Sequence, residues 1–498
     1  MLDITAPAAT PEMTAAGIER LGAWAASVQL SMIPQPIIRR ALIILCDDLA
    51  AIVAARDEPE VKRAQDRLCA KPGERGATVF RGGRPMTDRF SAAVANGLAA
   101  DWCELDEGYR RATCHAGLYT IPALIADAEA SGATLADVVR ALVIGYEVAG
   151  RFARAFPFKK LVLHPHASLA AVGAAAGVAA LRRHDAATFV AAVSAASTMV
   201  APGPYTHAVE GALVRNVWPA AGAWCGMQAV EWAECGIGGL ASSPYHVFAA
   251  AFGSEPKLDQ LTAGLGDEWA VADGYHKIHA CCQYSHSAVE ATLEALGDGA
   301  SRPAPDAITR VIVETHRLGM TLDNRAPATT LAAKFSMPHI VAAACTLGHA
   351  GAEAFASTTL TDAVIGTVRD RVDLRPFAPE LAWPKDRPAR VTLELADGTR
   401  RSAVCESARG GPDRPFSTAE ILEKIGGITG EVYPRFIVMA ERLIAAEPDV
   451  LALPWGSVVA ELTAPTGLIQ LRLIRPVVLS CLSMVFSENR YPLFRTLL

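Results

Sequence analysis

The chain has 498 residues, long enough for more than one domain, because single hydrophobic cores stop growing near roughly 250–300 residues. Its residues are 51% hydrophobic but only 6% aromatic, with alanine prominent in the N-terminal half, which favours close-packed helices over a large sheet. A net charge of −6, with no cluster of Lys and Arg on one helical face, excludes a nucleic-acid footprint and leaves a small molecule as the expected partner.

Apolar residues recur at helical spacing from Thr14 to about Asp57, with Pro34 and Pro36 separating two helices. The Gly/Arg/Pro-rich piece from Lys71 to Thr87 reads as a loop. Helices then continue to about Gly253, punctuated at Ser131–Gly132 and Pro202–Gly203–Pro204. The run from Ser168 to Leu181 is so rich in Ala and Gly that it belongs deep in a helical bundle. The texture changes near Asp273. Ala307–Thr315 and Ala389–Leu395 alternate apolar and polar residues, and Asp397–Gly398 after the second marks a hairpin. The segment LAAKFSMPHIVAAACTLG and the stretch after Leu360 read as helical. Beyond Gly410–Pro412, Ser417 with Glu420 three residues on forms a capping box that reopens helical structure. The expected architecture is mainly α: a large helical domain over 1–272, an α+β lid domain over 273–412, and a helical return over 413–498. The tail beyond about Thr463 is interrupted by Pro465, Arg472, Arg475 and Pro476, so it is not read as a membrane span.

Eleven cysteines without a zinc or iron–sulfur spacing, and a start (MLDITAPAATPEM) without a signal-peptide pattern, point to a reducing cytoplasm. The densest chemistry lies between Ala92 and Arg151. There, two Ala-rich helical patterns flank Glu104, Asp106, Glu107, Tyr109, Arg110, Arg111 and His115. Charged side chains are seldom buried without partners, so this segment reads as the rim of a wet cavity for a small polar molecule. His115 precedes a helix, where the macrodipole disfavours imidazolium and leaves a neutral base; the bland alternative is a structural histidine. His164 and His166 form an H-x-H, but no third ligand stands near in sequence, and no metal is assigned.

The residues AAVANGLAA, ELDEG, HAGLYTIPAL and GYEVAGR, taken with LHPHASLAAVGAAAG, EGALVRNVWPAAG, YHKIHACCQYSHSAVEA and AAKFSMPHIVAA in that order, resemble the MmgE/PrpD family over about residues 15–440. That family holds 2-methylcitrate dehydratases, cis-aconitate decarboxylases and iminodisuccinate epimerases. The resemblance implies a homodimer working without a cofactor on a di- or tricarboxylate, in a cleft between the helical domain and the lid. Proton abstraction next to a carboxylate needs a base in reach and cations for the developing charge.

By motif matching, the resemblance implies catalytic roles for His115, His164, Glu104 and Asp106. For Glu104 and Asp106 the alternative is a solvated helix end, and two carboxylates two apart on a helix would face apart. Arg215 and Lys277 are implied as carboxylate clamps, with His166 and Cys282 also at the substrate; Tyr109, beside Arg110 and Arg111, reads as a replacement donor to the substrate where the chain departs from the family. The matches are imperfect. Gly108 stands where the family commonly has Thr, Arg215 where it has Lys, Trp218 where it has His, Cys282 where the decarboxylase has His, and Ala116 where it has Pro. The expected function is a lyase dehydrating a small hydroxy acid. Decarboxylation, epimerisation and a non-catalytic carboxylate-binding role stay open beside it.

Overall fold

The computed structural model describes residues 9–69, 76–158 and 160–465, so the tail lies almost wholly outside the described residues. Helices dominate, as composition implies. The first half runs α1 (Pro11–Ser27), α2 (Gln35–Ala54), α3 (Pro59–Cys69), α4 (Arg89–Ala100), α5 (Ala116–Ser131), α6 (Leu135–Ala155), α7 (Pro165–Leu181), α8 (Ala186–Ala196), α9 (Thr206–Glu210) and α10 (Trp218–Glu234). Local sequence sets their ends. Asp88 caps α4 by accepting from the N–H groups of Phe90 and Ser91. Gly132 closes α5 at φ 73°, a left-handed stop, and Thr134 with Asp137 opens α6 through a capping box.

At the centre stands α7, buried along its whole length and flanked by α5, α6 and α10. A helix apolar all round can exist only inside other helices. Its contact with α10 is close because α10 offers glycines there. A Cβ on Gly222 would sit 2.4 Å from the Ala170 Cβ, and one on Gly226 would sit 2.5 Å from the Ala174 Cβ.

Part of the expected loop between Lys71 and Thr87 is instead an antiparallel pair, β1 (Gly76–Thr78) with β2 (Met86–Asp88). A second small ladder joins β3 (Gly108–Tyr109) to β4 (Gly274–Tyr275), which brings the segment before Gly108 beside residues just after Tyr275. The later part holds α11 (His286–Leu296), β5 (Ile308–Thr315), α12 (Thr330–Lys334), α13 (Met337–Leu347), α14 (Ala363–Asp370), β6 (Val372–Pro376), β7 (Ala389–Leu395) and β8 (Arg400–Cys405). The four strands form one sheet in the order β6-β5-β7-β8, parallel only between β5 and β6. Strict alternation of burial along β7, and packing of α11 on β7 and β8, show which sheet face is covered.

The chain then returns. In α15 (Thr418–Thr429), opened by the Ser417–Glu420 capping box, the helix packs on α2. After α16 (Phe436–Ala445) and α17 (Pro448–Leu451), α18 (Trp455–Leu462) docks on α5, where buried Trp455 donates its indole N–H to the Ile125 carbonyl at 3.1 Å. Among the described residues no helix is long and apolar enough to cross a membrane. Their ten cysteines are all free thiols.

Candidate active site

Between the end of α4 and β3 the chain leaves helical geometry, and Glu104 takes a left-handed φ of 53°. A non-glycine residue there costs about 1–3 kcal/mol and persists only where surroundings fix it. The surroundings do so from three sides. Lys334 donates to the Trp102 carbonyl at 2.7 Å, Lys424 to the Leu105 carbonyl at 2.7 Å, and Lys277 reaches the Asp106 and Glu104 carboxylates at 2.9 and 3.3 Å. The expectation that these two carboxylates diverge assumed a helix. In this irregular loop they converge on one ammonium.

The acidic loop continues into a buried ion-pair network. Arg215, from the turn before α10, contacts Asp101 and lies 2.6 Å from Glu104. Its Nε–H donates to His164 Nε2 at 3.1 Å, and its plane lies over the Phe335 ring at 4.9 Å. Burial pushes the Asp101 carboxyl well up, and Arg215 relieves this only in part. Burial acts on Glu104 too, but Arg215 and Lys277 outweigh it and hold the carboxyl low. For Asp106, Lys277 and His115 likewise overcome burial and hold it well below the usual range. Three carboxylates, those of Asp101, Glu104 and Asp106, thus gather around two cations, Arg215 and Lys277.

His115 caps the start of α5, and its Nδ1 is 2.6 Å from Asp106 Oδ2. An ionised carboxylate there accepts from Nδ1–H, which leaves the Nε2 lone pair as the free nitrogen. His164 caps the start of α7. Because its Nε2 accepts from Arg215, its proton belongs on Nδ1, so the 3.3 Å approach of the His166 N–H to Nδ1 is the contact that gives way. Burial, then Arg215 and His115, push the His164 imidazole well below its usual range. His166 is held between Tyr119 OH and Asp101, each at 2.9 Å.

Glu104, His115, His164, Arg215 and Cys282 share one cavity with Thr113, Tyr205, Gln283, Tyr284 and Phe335. Its free space is narrow, about 30 Å³. Asp106, His166 and Lys277 lie behind this wall. Tyr109 is farther away, fully buried, with its ring edge-on to Tyr146 at 6.1 Å. Burial keeps the Cys282 thiol protonated, pushed up to about 12. Arg215 still has capacity. Its Nη2 makes no hydrogen bond to the described residues, although the side chain lines the cavity. Ligand atoms of Asp101, His115 and His166 lie within 4.8 Å of one another, as do those of Asp101, Glu104 and Asp106. A metal would fit these donor types, but Arg215 and Lys277 already supply the positive charge that such a set attracts.

The MmgE/PrpD N-terminal domain model matches residues 19–256, and the MmgE/PrpD C-terminal domain model matches residues 279–446. The chain belongs to the MmgE/PrpD family. It is 26% identical to the cis-aconitate decarboxylase-like protein oryM of Aspergillus oryzae over 474 residues, 89% of this chain and 95% of that relative. A cis-aconitate decarboxylase of Aspergillus terreus is 28% identical over 290 residues, 54% of this chain and 58% of the relative.

Within this family member, sequence reasoning missed Asp101. Its signal was a carboxylate at the C-terminus of α4, where the helix dipole disfavours negative charge, so a buried cation had to be near. It also missed Tyr205, Gln283, Tyr284 and Phe335, neutral residues that come to the cavity through tertiary packing alone.

Proposed function

We propose that this protein is a cofactor-independent lyase acting on a carboxylate of the di- or tricarboxylic class. The observation that carries the reading is His115, backed by Asp106, in the same cavity as Arg215. In this reading the free Nη2 of Arg215 takes a substrate carboxylate, and His115 Nε2 removes the proton from the carbon beside it. Asp106 orients the imidazole and stabilises its charged form, as a positioning residue. Glu104, held ionised, orients Arg215 instead of giving a proton. His164, whose lone pair is already engaged, fixes the guanidinium from the other side. In a dehydration, the carbon–oxygen bond breaks as the leaving hydroxyl takes a proton from a neutral acid of the cavity, Tyr205 or Tyr284.

A second reading is decarboxylation, favoured by the names of both relatives. There the carbon–carbon bond breaks first, carbon dioxide leaves, and His115, entering as imidazolium, gives its proton to the carbanion and regains one from water. Incubation with hydroxy and unsaturated polycarboxylates in deuterated water separates the readings: an alkene marks dehydration, carbon dioxide marks decarboxylation, and exchange without net loss marks epimerisation. His115→Ala lowers turnover by at least about 10²-fold while leaving the fold intact by circular dichroism. Near-normal turnover in that variant overturns the assignment. We also read the molecule as a homodimer, supported by the family resemblance; light scattering at twice the 52.5 kDa chain mass is the expected result.

A further inference from the structure

A larger cavity, of about 510 Å³, adjoins the narrow inner one. Thr113 and Pro165 line both, so the two spaces meet across these residues. At this junction Thr113 Oγ1 and Tyr284 OH are 2.9 Å apart. The outer space has two characters. Phe156, Phe158, Leu161, Leu169 and Phe248 make part of its wall apolar, while Arg111, Arg154 and Lys257 make another part cationic.

These cations are not equivalent. Arg111 is paired with Asp273 at 2.9 Å, and its guanidinium lies over the Trp383 ring at 3.9 Å. Lys257 is exposed to water. Arg154 has a buried Nε without a hydrogen-bond partner, and no carboxylate among the described residues forms an ion pair with it. A buried donor left unsatisfied is costly, and an anion arriving with a ligand removes that cost through a charge-assisted bond. The volume suits an organic ligand, since pockets for such molecules run from about 300 to 1,000 Å³.

Resting on the reading that the inner site acts on a carboxylate, we propose that the outer cavity is a subsite for the rest of the substrate. The substrate is then a chain-extended polycarboxylate. Its reacting head lies at His115 and Arg215, an apolar carbon chain passes Thr113 and Pro165, and a distal carboxylate pairs with Arg154.

The test uses the full-length protein and three acids with the same tricarboxylate head: the head alone, the head with an n-alkyl chain, and the head with a chain ended by a carboxylate. The carboxylate-ended acid is expected to have the highest kcat/KM, at least about tenfold above the head alone. Arg154→Met abolishes its advantage over the alkyl acid and leaves the head alone unchanged. Leu161→Trp, which fills the outer cavity, lowers kcat/KM for both chain-bearing acids only. A preference for the head alone or for the alkyl acid, or an advantage that survives Arg154→Met, overturns the proposal. If none of the acids turns over, the lyase reading fails, and calorimetric binding of the carboxylate-ended acid decides the subsite by itself. Binding lost in Arg154→Met supports it; absent or Arg154-independent binding overturns it.

Discussion

Replacing Lys277 by Met tests the electrostatic account of the acidic loop. Methionine keeps the length and burial of the side chain, so the change removes a charge and its hydrogen bonds. Breaking a buried ion pair by removing one partner costs about 3–5 kcal/mol. Here each carboxylate keeps another cationic or donor partner, Arg215 at 2.6 Å from Glu104 and His115 at 2.6 Å from Asp106. That places the expected loss at the lower end, about 3 kcal/mol, a sizeable part of a stability of about 5–15 kcal/mol. The loss depends on pH. In the wild type the Asp106 carboxyl is held below its unfolded value, so its contribution is present above that value and disappears as pH falls. Without Lys277 that contribution shrinks, so the two proteins differ most at neutral pH and converge in acid. Because the contribution is lost only below the unfolded value of 3.8, urea unfolding at about pH 7.5 and about pH 2.5 measures this directly, and the Lys277→Met/Asp106→Asn double variant is expected to recover part of the loss. A neutral-pH loss below about 1 kcal/mol, or one that grows in acid, would refute the reasoning.

Three further changes probe the layers around the site. Glu107 accepts from the Gly117 N–H at 2.5 Å and from Tyr146 OH at 2.9 Å, and burial pushes its carboxyl up to about 8 from 4.5. Unfolded Glu107 loses its proton near 4.5 while the folded residue keeps it to about 8, so wild-type stability falls with rising pH across that window. Glu107→Gln removes this slope, seen as a Tm that declines less between the two pH values. In Gly226→Ala the new methyl would meet Ala174 Cβ at 2.5 Å and the Ala171 carbonyl at 2.6 Å; a loss of about 1–3 kcal/mol in thermal unfolding is expected. Trp455→Phe gives up the bond to the Ile125 carbonyl that ties α18 to α5, at about 1 kcal/mol, with hydrogen exchange rising first in the C-terminal helices.

Residues that govern their own neighbourhood were legible in the sequence. The capping box at Ser417, the helix break at Ser131–Gly132 and the Asp397–Gly398 hairpin depend on a few adjacent side chains, and the structure has all three. The uniform burial of α7 followed from the same kind of pattern, since Ala and Gly all round a helix leave no polar face. What depends on distant partners was not legible. Glu104 and Asp106 come together because Lys277 arrives from beyond β4, and no local pattern encodes a φ of 53° at a glutamate. Tyr109 reads as a donor beside two arginines, yet β3 turns it inward against Tyr146 and α6. Tyr205 and Tyr284 of the cavity wall carry no charge and no motif, so only the fold reveals them.

The helices α5 and α7 both begin at the site, with His115 and His164 as their caps, and both are clamped in the most tightly packed part of the molecule. One wall of the cavity is therefore set to the tolerance of a helix crossing, where a single methyl is too much. Another part of the wall, with Cys282, Gln283, Tyr284 and Phe335, comes from the 3-10 turn that leads into α11 and from the residue that ends the short α12. Chemistry and selectivity are thus carried by parts of unequal stiffness. Adapting this scaffold to a new acid calls for changes at Cys282, Gln283 and Phe335, and a saturation library confined to those positions should retain folding while shifting substrate preference. The same library at Gly222, Gly226 and Ala170 should yield mostly unfolded protein, whatever acid is offered.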